Sequence, residues 1–141
     1  GRIIIEDGVN LWAHAEVNQF ITFTSEAQII IGKNSRINGG TFLARKKIVI
    51  GEKNLIGSAI LLDNDFHSTD PSFRFDKSKI PTSPIETEEN VWIAGQASVL
   101  KGVKIGKNAV VGFRSVVTKA VPENTVVAGN PAKVVKGSIN I

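Results

Sequence analysis

The 141-residue sequence contains no cysteine, no methionine and no tyrosine. Without cysteine there is no disulfide framework and no thiolate metal site, and the redox compartment is left open. Only two histidines occur, His14 and His67, far apart in the chain. Together with a few Asp they do not supply the ligands of a metal centre, so no metal is expected. A secretory leader, a lipidation signal and a long apolar run are all missing, which points to a soluble, cytoplasmic protein. Serine-nucleophile elbows, phosphate loops, dinucleotide glycine patterns and nucleic-acid motifs are also missing. The net charge of +4 suits an anionic ligand, and scattered Lys and Arg equally suit a solvated surface.

What is present is a period of six. From Thr87 the chain reads TEENVW, IAGQAS, VLKGVK, IGKNAV, VGFRSV, VTKAV, restarting at Ile93, Val99, Ile105, Val111 and Val117. A second apolar or small residue falls at Val91, Ala97, Val103, Ala109, Ser115 and Val121. Six is neither the helix nor the strand period. It is the repeat of a parallel β-helix, in which each unit gives one short strand and one turn, and three units close a coil that rests on its neighbour. Abundant Ile and Val with Gly as punctuation agree with an all-β chain.

The same beat runs more weakly through Ile5, Leu11, Val17 and Phe23, with Val9, Ala15 and Ile21 as secondary inward positions. It resumes from Ile31 and, after one inserted residue, from Ile50 and Ile56. Gly follows the leading aliphatic at Gly32, Gly51, Gly57, Gly106 and Gly112. Either a side chain would crowd the turn there, or the backbone needs positive φ. The repeat is interrupted once, by a Pro-containing segment at about 63–86. A long irregular insertion in a periodic fold is usually functional. After Val121 a tail at about 122–141 reads as a cap. The whole of 1–141 reads as one domain.

Chemistry concentrates at the interruption. His67 stands beside Asp63, Asn64 and Asp65 and reads either as a general base, with a carboxylate or carbonyl fixing its tautomer, or as a turn-capping loop residue. His14 reads as packing or surface. Arg45, Lys46 and Lys47 form a basic cluster that could meet an anion or edge a solvated face.

The segments IGEKNLIGSAILLDNDFH and PIETEENVWIAGQASVLKGVKIGKNAVVGFRSVVTKAVPENTVVAGNPAKVV resemble the hexapeptide-repeat acyltransferases. The resemblance is nearest to the maltose, galactoside, streptogramin and capsule or lipopolysaccharide O-acetyltransferases. It is strong over 50–136 and rests on the repeat alone over 5–49. It implies a left-handed parallel β-helix, against the usual right-handed crossover preference. It also implies a homotrimer with sites between subunits and acetyl-coenzyme A as donor. On this resemblance His67 takes the proton of an acceptor hydroxyl; its orienting group is left open among Asp63, Asp65 and a backbone carbonyl. Ala94 and Gly95 lie against the donor, Trp92 forms a wall for its pantetheine arm or for the acceptor, Thr118 and Lys119 contact the donor, and Lys133 and Lys136 suit its phosphates.

Three departures matter. Phe113 and Arg114 follow Gly112 where small residues are usual, which reshapes the donor channel or adds a phosphate contact. Thr87 and Glu88 replace Ile-Gly and weaken one unit. Arg45 and Lys46 stand where neutral-sugar enzymes place acidic and amide groups, so with Asn64 they are expected to meet an acidic or phosphate-bearing sugar. The function expected is O-acetylation of a sugar or glycan hydroxyl in surface polysaccharide synthesis. N-acetylation of an amino sugar, a xenobiotic acceptor and a non-catalytic β-helix scaffold are the alternatives. A γ-class carbonic anhydrase would need a third histidine, and an ice-binding β-helix would need ranks of Thr.

Overall fold

The computed structural model describes residues 1–137, so the last four residues of the expected tail lie outside the described residues. Among the described residues seventeen strands follow one another with almost no helix. The first side of the solenoid stacks β1 (Arg2–Ile5), β4 (Gln28–Ile31), β7 (Lys47–Ile50), β10 (Ile85–Thr87) and β13 (Lys104–Ile105). The second stacks β2 (Asn10–Trp12), β5 (Arg36–Asn38), β8 (Leu55–Ile56), β11 (Trp92–Ile93), β14 (Val110–Val111) and β16 (Val126–Gly129). The third stacks β3 (Gln19–Thr22), β6 (Thr41–Ala44), β9 (Ile60–Leu62), β12 (Ser98–Leu100) and β15 (Val116–Val117). Pairing along every side is parallel until β17 (Ala132–Lys136), which folds back antiparallel on β16 and closes the column. The whole is a left-handed parallel β-helix of about 5 turns.

Within 87–121 all the inward positions expected from the period are buried, from Thr87 through Val99 and Ser115 to Val121. Registers such as Ile93 over Ile56 and Val99 over Leu61 put like side chains above one another. The fourth residue of the unit is the turn-maker. Asn34, Lys53, Asn90, Gln96, Asn108, Arg114 and Asn124 all hold φ between 54° and 60°. Gly8 and Gly102 take the same place, since Gly and Asn tolerate left-handed backbone best.

The glycine after the leading aliphatic answers to crowding rather than to φ. A Cβ on Gly32 would lie 2.6 Å from the carbonyl carbon of Gly51 in the coil above, and one on Gly57 would lie 2.9 Å from the Gly95 nitrogen. Thr87 does not weaken its unit. Its hydroxyl donates to Asn54 Oδ1 at 2.7 Å and accepts from the Gly51 amide at 3.1 Å, while Asn54 Nδ2 reaches the carbonyls of Glu52 and Glu88.

The N-terminal expectations need correction. Ile5 and Leu11 are in register over Ile31 and Ile37, but they are half exposed rather than buried. Val17 lies outside any strand and is exposed. On the third side, Phe20 pairs with buried Phe42, their rings stacked at 5.0 Å, so Phe20 and Thr22 point inward and Ile21 and Phe23 outward. The corner leading to this side is one residue shorter in the second and third coils, where Phe42 and Leu61, not Leu43 and Leu62, enter the core.

Candidate active site

The site grows from the third-to-first corner of the prism, where the segment 63–84 leaves between β9 and β10; Ile85, placed in the loop by sequence, is buried in β10. Its neck is laced shut: Ser83 N–H donates to the Asp63 carbonyl, Asp65 N–H to the Pro81 carbonyl, and Asn64 bridges Thr82 antiparallel. Two 3-10 turns, Pro71–Phe73 and Lys77–Lys79, shape the rest, capped by the carboxylates of Asp70 and Asp76. Hydrogen bonds from Ser78 hold the Asp76 carboxyl below the usual carboxylate range.

Asp63 is fully buried. Its Oδ1 accepts from Arg45 N–H at 2.7 Å and Asn64 Nδ2 at 3.0 Å, and its Oδ2 from the N–H groups of Lys46 and Lys47, each at 2.7 Å. This carboxylate therefore fixes the widened corner after β6 and is not the imidazole's partner. Asp65 is engaged as well, by Lys101 Nζ at 2.8 Å.

The partner of His67 is a backbone carbonyl: Nδ1 lies 3.1 Å from the Arg74 oxygen. A carbonyl only accepts, so Nδ1 carries the hydrogen and Nε2 keeps its lone pair. The turn that delivers the imidazole is set by Asn64, whose Oδ1 accepts from Phe66 N–H at 2.9 Å and helps hold Phe66 at φ 60°. Phe75, 88% exposed, presents its ring to the imidazole nearly at right angles, 6.2 Å between centroids.

His67, Arg45 and Asn64 line one cavity of about 300 Å³ together with Arg74, Phe75 and Lys77. Phe23 and Phe66, packed edge to face at 5.5 Å, form another part of its wall. Lys46 is exposed but is not part of that wall, and its contribution is the backbone N–H held by Asp63. Arg74, Phe75, Lys77 and Phe23 were not recognised as site residues from sequence; the loop has no period to place them, and Phe23 reads there as an inward repeat residue. His14 lies elsewhere, exposed and stacked on Trp12 at 5.3 Å.

The residues expected to meet the donor fall on two corners. Ala94, Gly95, Gly112, Phe113 and Arg114 lie at the second-to-third corner, with half-exposed Trp92 beside them on β11 between Leu55 and Val110. The Phe113 ring covers Gly95, whose Cβ would meet it at 3.3 Å, and Arg114 Nε donates to Gln96 Oε1 at 2.6 Å. Thr118 and Lys119 instead follow β15 on the corner that carries His67. Lys119 and Lys133 line a groove of about 250 Å³ with Val117, Ala120 and Ala132, while Lys136 is exposed at the end of β17. Small residues beside Trp92 and Phe113, and two cations on an apolar groove, fit a ligand with a slender arm and phosphates.

Residues 84–119 match the family model described as bacterial transferase hexapeptide (six repeats). Galactoside O-acetyltransferase of Escherichia coli K12 is 32% identical over 130 residues, 92% of this chain and 62% of that protein. A crystal structure of a maltose O-acetyltransferase from Clostridium difficile 630 superposes with a TM-score of 0.72 at 31% identity, covering 99% of this chain and 68% of that one. A galactoside acetyltransferase in complex with coenzyme A also superposes with a TM-score of 0.72, at 29% identity over 94% of this chain and 66% of that one. The chain spans 55–62% of the length of the curated relatives it matches first.

Proposed function

The chain belongs to the hexapeptide-repeat acetyltransferase family, and from that premise we propose that it transfers an acetyl group from acetyl-coenzyme A to a hydroxyl of a sugar or glycan, with His67 as general base. The observation that carries this reading is the His67–Arg74 hydrogen bond. With Nδ1–H committed to a carbonyl, Nε2 is the nitrogen free to take the acceptor proton, and the same carbonyl continues to accept from the imidazolium that results. No carboxylate is needed for that role. Acetyl-coenzyme A would supply the activated thioester and leave as the free thiol; the residues suited to hold it are Trp92, Ala94, Gly95, Gly112, Phe113, Arg114, Thr118 and Lys119, with Lys133 and Lys136 for its phosphates.

The homotrimer enters through the same geometry. Trp92, Gly95 and Phe113 sit on a different corner of the prism from His67, so a neighbouring copy that brings its second-to-third corner to this loop completes one site from two chains. Exposed Leu55, Ile60, Trp92 and Phe113 give that corner an apolar surface to cover. Most residues that line the His67 cavity are exposed, so it admits a sugar that is part of a longer chain, which suits surface polysaccharide synthesis in the cytoplasm.

Calorimetry with coenzyme A, followed by thiol release across a panel of sugar acceptors and sedimentation of the same preparation, tests the reading. Coenzyme A binding, acceptor-dependent thiol release and a trimer are expected. A protein that fails to bind coenzyme A at millimolar concentration is a scaffold and not a transferase.

A further inference from the structure

The charges around His67 are sorted by sign. Residues 63–79 carry four acidic side chains, and each is occupied by the fold: Asp63 by three backbone N–H groups and Asn64, Asp65 by Lys101, Asp70 by Ser72 and Asp76 by Ser78. Lys79 lies over the Phe73 ring at 5.6 Å. The charged groups that line the cavity are all cationic: Arg45, Arg74 and Lys77. Arg45 is also fixed in place, one of its five N–H donors reaching the Lys77 carbonyl at 2.8 Å and tying the corner after β6 to the loop. Three cations converging on one small cavity without a lining carboxylate attract an anion and disfavour a neutral ligand with nothing to offset their mutual repulsion. The phenylalanine rings of the wall supply the apolar surface on which a sugar face packs.

We infer that Arg74 and Lys77, with Arg45 as the fixed third cation, form an anion subsite beside His67, and that the ligand of this cavity is a sugar carrying a carboxylate or a phosphate. Naming that ligand the acceptor rests on the acetyl-transfer reading above; the charge preference itself does not. The subsite selects which sugar is presented to Nε2, so its residues set specificity, while His67 moves the proton.

Three probes separate the cases: a methyl hexuronoside, a hexose 1-phosphate and a neutral methyl hexoside, each titrated calorimetrically into the wild-type chain at low and high salt. At least one charged probe binds about tenfold or more tightly than the neutral one, the difference expected of charge-assisted hydrogen bonds, and salt narrows the gap. Which charged probe wins distinguishes carboxylate from phosphate. In R74Q/K77Q the preference falls to near parity, and coenzyme A titration of the variant reports that its donor side is intact. The subsite is overturned if the neutral hexoside binds as well as both charged probes, if no probe binds, or if the double variant keeps the preference. A wild-type chain that prefers the charged probe but never releases thiol sinks the acetyl-transfer reading and leaves the subsite standing.

Discussion

Replacing Asp63 by Asn separates a scaffolding carboxylate from a catalytic one. The side chain is fully buried and accepts four N–H groups, two on each oxygen. An amide of the same shape keeps one oxygen. In one orientation its NH₂ faces the donors of Arg45 and Asn64; in the other it faces those of Lys46 and Lys47. Either way two donors to this buried carboxylate lose their acceptor, at roughly 1–3 kcal/mol each. Asp63→Asn should therefore cost about 2–6 kcal/mol, a large part of the ~5–15 kcal/mol that holds a typical domain together. Urea unfolding followed by circular dichroism reads this as a lower midpoint with the slope unchanged. The cavity should suffer too, since Arg45 and Asn64 hang from the same carboxylate. A variant within about 0.5 kcal/mol of wild type, the range of ordinary surface changes, that had nonetheless lost turnover would refute the reasoning and return Asp63 to the reacting centre.

Thr87→Val keeps the shape of a core position but strips two partners, leaving Asn54 Oδ1 and the Gly51 amide unpaired beside the first-to-second corner; a loss of about 2–4 kcal/mol in denaturant unfolding is expected. Hydrogen bonds from Lys53 and then Lys107 hold the half-exposed Glu89 carboxyl below the usual range. A lowered folded value means that its stabilisation is present above the unfolded carboxyl range and is lost as pH falls through the folded value. The unfolding midpoint of Glu89→Gln should thus fall short of wild type at neutral pH, match it in acid, and approach it in high salt. A difference that persisted in acid would assign the effect to packing.

The period of six in 87–121 carried the architecture because each unit repeats the same demand: an inward side chain at one end, another four residues on, and a tight corner between. Its turn-maker went unread although Gly8, Asn34, Asn90, Gly102, Asn108 and Asn124 recur at the fourth place, because the glycines after the leading aliphatic drew the turn reading instead. That signal was diluted by Lys53, Gln96 and Arg114, which take the same left-handed conformation despite their Cβ. The third side was harder. A corner one residue shorter shifts the inward face from Leu43 to Phe42 and from Leu62 to Leu61, and neighbouring apolar residues make either choice look sound. At the site, His67, Arg45 and Asn64 stood out by residue type and share a cavity. The role of Asp63 did not, because a carboxylate beside a histidine looks the same in sequence whether it faces the imidazole or a backbone corner. Arg74 and Lys77 were hidden by aperiodicity: only the fold of the loop turns them toward the histidine that precedes them.

The central claim is that His67 Nε2 takes the acceptor proton, and the turnover of His67→Ala measures it most directly. Thiol release should fall by about 10²–10⁴-fold, the range of a positioned general base, while coenzyme A affinity and the unfolding midpoint stay at wild-type values. A variant that releases thiol at close to the wild-type rate would contradict the account.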